Sequence, residues 1–248
     1  MAEKPIIEIT NLIKEFHVGG EPIRILKDVS VSIDRGKFVI LFGPSGSGKS
    51  TLLHSMLGLE KPTSGSVRIE DAYFEKMNPN EIARFRLAKI GIVYQRPDWI
   101  RSINVMENVA FPLAIKGVSR SKRNQKALDL LKSFKLEHRA YFEPTELSGG
   151  QQQKVEIARA LITDPSIIVA DEPTGNLDTE SAENAMNLFK RLNEEKGITI
   201  IMVTHNMEYV SYASQTIYMR DGVILSGTGQ FKTASTEPET KNKVKTTA

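Results

Sequence analysis

Gly43-Pro44-Ser45-Gly46-Ser47-Gly48-Lys49-Ser50-Thr51 decides how the rest of the chain is read. It fits G-x-x-x-x-G-K-[ST], with Gly43, Gly48, Lys49 and Ser50 at the fixed places. Its surroundings carry more weight than the match. Phe38-Val39-Ile40-Leu41-Phe42 before it is an unbroken apolar run, as a doubly buried parallel strand requires. After it, Leu52, Leu53, Met56 and Leu57 fall on one face of a helix that Gly58 can end. The glycines therefore sit between a strand and a helix N-terminus. Unpaired backbone N–H groups and the positive end of the helix dipole converge there, and a polyphosphate is the natural occupant. Lys49 is expected to reach the β- and γ-phosphates, Ser50 to hold Mg²⁺, and Thr51 to lie on the α-phosphate side.

The totals narrow the rest. A chain of 248 residues, 40% hydrophobic and 25% charged, is ordinary and globular. A net charge of +3 is too slight to argue for a nucleic-acid partner. No cysteine is present, which excludes disulfides, thiolate metal sites and a catalytic thiol. The N-terminus lacks the apolar core of a signal peptide, and no apolar run approaches the roughly 20 residues that span a bilayer. Work at a membrane would need a membrane chain supplied by a partner.

Ahead of the loop, Ile6 to Ile13 and Ile23 to Ile33 read as strands on either side of a Gly19-Gly20 turn. Val29, Val31 and Ile33 alternate with Ser30 and Ser32, the period of a half-buried antiparallel strand. With Gly65 to Ile69 they form a small antiparallel sheet beside the core. Phe16, just before the turn, suits an adenine-stacking ring and an ordinary core residue equally. A helix over Asn80 to Ile90 leads into a strand, Ile90 to Tyr94, and Gln95 follows at its carboxyl end, where ligands bind in open α/β sheets. Residues 96 to 146 carry helix signals only, at Asn104 to Ala114 and Asn124 to Phe134, and form a helical insertion. Arg96 to Arg123 holds six basic and two acidic residues. This run, with Trp99, suits either a solvated face or a docking surface.

Leu147-Ser148-Gly149-Gly150-Gln151 then enters a helix. Ser148 suits an N-cap, but two glycines weaken a helix start unless a backbone or an anion must come close. Ile167 to Ala170 is a buried strand ending in Asp171-Glu172, two carboxylates that a magnesium ion and an attacking water would employ. Alternation along the strand points them apart, Asp171 toward Mg²⁺ and Glu172 toward the water. Pro173 to Asp178 turns the chain into an amphipathic helix. Ile198 to Val203 is a further core strand, ending at Thr204-His205. Thr216 to Met219 and Val223 to Leu225 form a hairpin about Asp221-Gly222. Residues 229–248, poor in apolar side chains, are expected to be disordered.

In this order the motifs resemble the nucleotide-binding subunit of an ABC transporter, over roughly Ile6 to Leu225. The resemblance implies an α/β fold: a P-loop NTPase core (RecA-like) with an antiparallel β subdomain and an inserted α-helical subdomain. The ATP-binding domain would span 1–228, with the helical part at about 96–150. ATP and Mg²⁺ are implied as cofactors, with Ser50, Gln95 and Asp171 at the metal. Two subunits are implied to face head to tail, so each ATP lies between Gly43–Thr51 of one and Ser148, Gly149, Gly150 and Gln151 of the other. Glu172 is implied as the catalytic carboxylate, with His205 on the γ-phosphate and Gln95 sensing metal and water. Asp178 belongs to the loop that communicates across the dimer, and Phe16 stands where the family stacks adenine. The partners implied are a second ATP-binding subunit, a homodimer being expected, and an integral membrane permease at the cytoplasmic face. The run from Asp171 to Asp178 further resembles the branch serving lipoprotein release, macrolide efflux and cell division. Arg96-Pro97-Asp98-Trp99-Ile100-Arg101 departs from that branch, which has an aromatic and apolar stretch after its glutamine. Glu156 stands where a small residue is common, and nothing in the sequence gives it a role. The rival reading is a soluble ABC ATPase of a cofactor-assembly complex. A GTPase is disfavoured, because no Asn-Lys-x-Asp stretch exists to read guanine.

Overall fold

The computed structural model describes residues 4–95 and 98–227. The expected tail at 229–248, and Arg96 and Pro97, lie outside them.

Two sheets pack together. The first opens with β1 (Ile7–Val18) and β2 (Glu21–Ile33), longer than the apolar alternation alone predicts. Their paired outer halves are largely exposed and mix polar with apolar side chains, so hydrogen bonding rather than burial extends them there. With β4 (Ser64–Ile69) and β5 (Ala72–Tyr73) they form an antiparallel sheet of order β2-β1-β4-β5. The second sheet has order β10-β9-β3-β8-β7-β6. In it β3 (Phe38–Phe42), β6 (Ile90–Val93), β7 (Ile167–Asp171), β8 (Thr199–Thr204) and β9 (Gln215–Arg220) run parallel. Strand β10 (Val223–Gly227) closes one edge antiparallel to β9. Phe38 to Leu41 and Ile167 to Ala170 are buried throughout, as strands covered on both faces must be. Leu12, Leu26, Val29 and Ile33 of the first sheet share one apolar core with Val39, Leu41, Val169 and Ile201 of the second. Lys27 N–H donates to Gly222 O at 2.9 Å, tying the sheets together at their edge.

Helices α1 (Lys49–Met56) and α2 (Pro79–Lys89) follow β3 and precede β6. Helix α6 (Thr179–Lys196) packs Met186, Phe189 and Leu192 against the far face of the parallel sheet. Between β6 and β7 stand α3 (Val105–Ile115), α4 (Arg120–Ser133) and α5 (Gly149–Leu161). They have their own apolar cluster, built on Val105, Val109, Ala127 and Leu131 and reaching Val155, Ala158 and Ile162 of α5 and its end. This cluster runs past residue 150 because α5 is a single helix shared by both bodies. Fully buried Asn108 binds the N–H and C=O of Ile100 and the C=O of Ile103 and Asn104, which fixes the entry into α3. Among the described residues no helix is long and apolar enough to cross a membrane.

The parallel strands point one way, so β3, β7, β8 and β6 deliver Gly43, Asp171, His205 and Gln95 to the same edge of the sheet.

Candidate functional site

Helix α1 begins at Gly48, in the left-handed region at φ 97°. No side chain caps this N-terminus and no acidic residue occupies its first turn, so its orphan N–H groups and dipole remain available to an anion. Lys49 folds back within the loop: Nζ donates to Gly43 O at 2.8 Å and to Pro44 O at 2.7 Å. Burial lowers its pKa, while Glu172 and Asp171 raise it in part. The loop thus holds a partly desolvated cation against two of its own carbonyl oxygens, next to the free N–H groups that open α1.

A cleft of about 530 Å³ opens over it. Ser45, Gly46 and Gly48 to Thr51 line the floor, with Glu172 and His205 at one side. Phe16 rises at the other and is 37% exposed, which sets aside its reading as a core residue. Val18, Ile23 and Ile25 share this wall and were not anticipated. The signal was available: pairing about Gly19-Gly20 sets Ile23 opposite Phe16.

Glu172 lies just past β7 at φ 45°, a left-handed conformation uncommon for a residue with a side chain. Its N–H donates to Val203 O at 2.9 Å. Its two carboxyl oxygens face different partners. Oε1 is 2.9 Å from His205 Nδ1, and Oε2 accepts from Gln95 Nε2 at 3.2 Å. Asn176 Nδ2 donates to Gln95 O at 3.0 Å and steadies the backbone there, a contact between residues 81 positions apart that no local pattern announces. Asp171, pointing elsewhere, has its pKa raised by burial and by Glu172, against the lowering effects of His54 and Lys49.

Ser148 caps α5: its Oγ accepts from Gln151 N at 3.4 Å, and Gln151 Oε1 accepts from Ser148 N at 3.1 Å. Gly150 has a reason within the chain, since a Cβ there would lie 2.7 Å from Ser181 Oγ. Gly149 would meet only Leu177, at an ordinary 3.5 Å. Asp178 caps α6, accepting from Ser181 N and Ser181 Oγ, both at 2.8 Å, which lowers its pKa. Ser148 to Gln151 and Asp178 are not among the residues lining the cleft. The structure therefore assembles Phe16, Gly43–Thr51, Gln95, Glu172 and His205 on one side of the molecule, with the capped start of α5 apart from them.

Among the described residues no three His, Cys, Asp or Glu side chains converge as a metal cage. The oxygen donors Ser50 and Asp171 instead suit an ion held by one or two protein ligands and by phosphates, as Mg²⁺ usually is.

Residues 26–175 match the family model described as ABC transporter. An uncharacterized ABC transporter ATP-binding protein of Methanocaldococcus jannaschii, MJ0796, is 43% identical over 88% of this chain and 95% of its own. The lipoprotein-releasing system ATP-binding protein LolD of Hyphomonas neptunium is 38% identical over 90% of this chain and 97% of its own. The macrolide export ATP-binding/permease protein MacB of Neisseria meningitidis is 43% identical over 91% of this chain but only 35% of its own length. A solved dimeric structure of MJ0796 in a post-hydrolysis state, bound to ADP and Pi, superposes with a TM-score of 0.82 at 41% identity, covering 90% of this chain and 97% of that one. The fold, the loop and the matched residues agree: the chain belongs to the ABC transporter family, among its ATP-binding subunits.

Proposed function

We propose that the chain is the ATP-hydrolysing subunit of a membrane transport complex, and that two copies close head to tail around two ATP. One observation carries the reading: Gln95 and His205 each meet a different oxygen of Glu172, beside the cleft floored by the phosphate loop. Residues 1–228 form the ATP-binding unit in this reading, with the α3–α5 region as the part that meets the permease at the cytoplasmic face. The membrane reading is preferred over a soluble cofactor-assembly ATPase because of the likeness to LolD and MacB.

The roles follow from position. Lys49 and the first N–H groups of α1 bind the β- and γ-phosphates, and Phe16 stacks the adenine. Glu172 accepts a proton from the attacking water, held in place by Gln95 and His205. His205 also approaches the γ-phosphate. Ser50, Asp171 and Gln95 would hold Mg²⁺, which when bound would supply charge neutralisation for the phosphates. Most of the acceleration is positioning and charge stabilisation. The start of α5, with Ser148, Gly149, Gly150 and Gln151, serves the partner's ATP, and Asp178 lies beside it through Ser181. Loss of the γ-phosphate removes these contacts and loosens the dimer, and the helical region passes that motion on.

Glu172→Gln is expected to bind ATP and lower turnover by about a hundredfold or more. Because its ATP persists, this variant should run as a dimer in size-exclusion chromatography with ATP. Adding Ser148→Arg should return it to a monomer that still binds ATP. Wild-type hydrolysis in Glu172→Gln would overturn the catalytic assignment, and an undisturbed dimer with Ser148→Arg would overturn the shared site.

A further inference from the structure

One stripe of α5 grips the segment that carries Gln95. Gln152, Glu156 and Arg159 stand at i, i+4 and i+7, one face of the helix. Glu156 Oε1 accepts from Tyr94 N–H at 2.9 Å, immediately before Gln95. Arg159 Nη1 donates to Asp98 O at 2.8 Å, just beyond it. The Arg159 guanidinium also lies 4.9 Å from the centre of the Trp99 ring. Trp99 Nε1 donates to Gln152 Oε1 at 3.2 Å, and Gln152 Nε2 donates to Leu147 O at 3.0 Å, the residue before Ser148.

We propose that Gln152, Glu156 and Arg159 are positioning residues for hydrolysis, latching both ends of the Gln95 segment to the helix that begins at Ser148. Glu156 is the pin. It is fully buried, and its other oxygen has no partner among the described residues. A carboxylate placed there costs stability, and the contacts it makes are the Tyr94 bond and the neighbouring Arg159, whose Nη2 is 3.7 Å from Oε1. Trp99, in the run that suited either a solvated face or a docking surface, turns its indole onto the same stripe. The latch places Gln95 against Glu172 and makes the approach of Ser148 to the partner's ATP move with it. Each ATP site then registers the state of the other through one helix.

The proposal rests on Gln95 acting in the ATP site, and the controls separate the two. In steady-state ATPase assays of the full chain, Glu156→Ala should lower kcat by about tenfold to a hundredfold, as small misplacements of a catalytic group do. KM for ATP should stay within about twofold, because ground-state binding is not what is lost. Glu156→Gln keeps an oxygen for Tyr94 N–H and should restore most of kcat. Trp99→Phe removes the indole donor from the segment's far end while keeping an aromatic ring there, and should lower kcat in the same pattern, deciding the matter if Glu156→Ala fails to fold. Trp99 is the only tryptophan of the chain, so its emission reports the latch directly. ATP should change that emission in the wild type and leave it unchanged in Glu156→Ala at equal nucleotide occupancy. Wild-type kcat in both Glu156→Ala and Trp99→Phe, failure of Glu156→Gln to rescue, or a wild-type emission response in Glu156→Ala would overturn the latch. A Gln95→Ala variant with undiminished kcat would instead overturn the reading of the site beneath it.

Discussion

Burying Glu156 pushes its carboxyl up to about 7, against the lowering effects of the Tyr94 N–H and Arg159. The native state therefore binds this proton more tightly than the unfolded chain, where the group titrates near 4.5. The contribution to stability is whole below 4.5, declines as pH rises toward 7, and is gone above it. The distance from 4.5 to about 7 corresponds to about 3 kcal/mol. Glu156→Gln should accordingly be more stable than the wild type at pH 8, by on the order of 1–3 kcal/mol, with the gap closing near pH 4.5. Urea unfolding of both proteins at the two pH values measures this, and a gap independent of pH would mean that the buried charge is not its source. This residue also marks where sequence reading stops. Its position in the helix is one where a small residue is common and suggests no role, and only the three-dimensional neighbour, a backbone N–H 62 positions earlier, gives it a purpose. Glu172 and His205 were legible differently. Each follows a buried strand, so the ends of the strands located them, but their shared contact came from the order of strands in the sheet.

At the scale of elements, β6 approaches α5 closely beside the latch. A Cβ on Gly91 would lie 2.4 Å from Ala160 O. Gly91→Ala should therefore push strand from helix, destabilising the protein by about 1–3 kcal/mol and lowering turnover as well, since β6 leads into Gln95. Thermal melts paired with ATPase assays check it; a lowered melting temperature with full turnover would show that the join does not govern Gln95. The core strands themselves were readable because continuous apolar runs admit few other structures. The ends of β1 and β2 were not, because their outer halves carry exposed, mixed side chains that leave no period to follow. For α5, the apolar residues predicted the helix but not that it belongs to two cores at once.

For the whole molecule, binding and association are linked. Saturating ATP, at about a hundredfold over Kd, should stabilise Glu172→Gln by about 2.7 kcal/mol. For a chain of this size that is a rise of about 5–10 °C in Tm. The rise should grow with protein concentration, because a dimer is the species being stabilised. Differential scanning fluorimetry over a range of concentrations tests this, and a concentration-independent rise would point to a self-sufficient monomer site. The two-sheet plan has one more consequence. Phe16 and Ile23 belong to the antiparallel sheet, whereas Lys49 and Glu172 hang from the parallel one. A nucleotide that touches both is a fastener between them, with its base on one panel and its phosphates on the other. Tripolyphosphate, lacking the base, would fill the floor and leave the Gly19-Gly20 hairpin free to swing, so a protease that nicks that hairpin should be slowed by ATP and indifferent to tripolyphosphate.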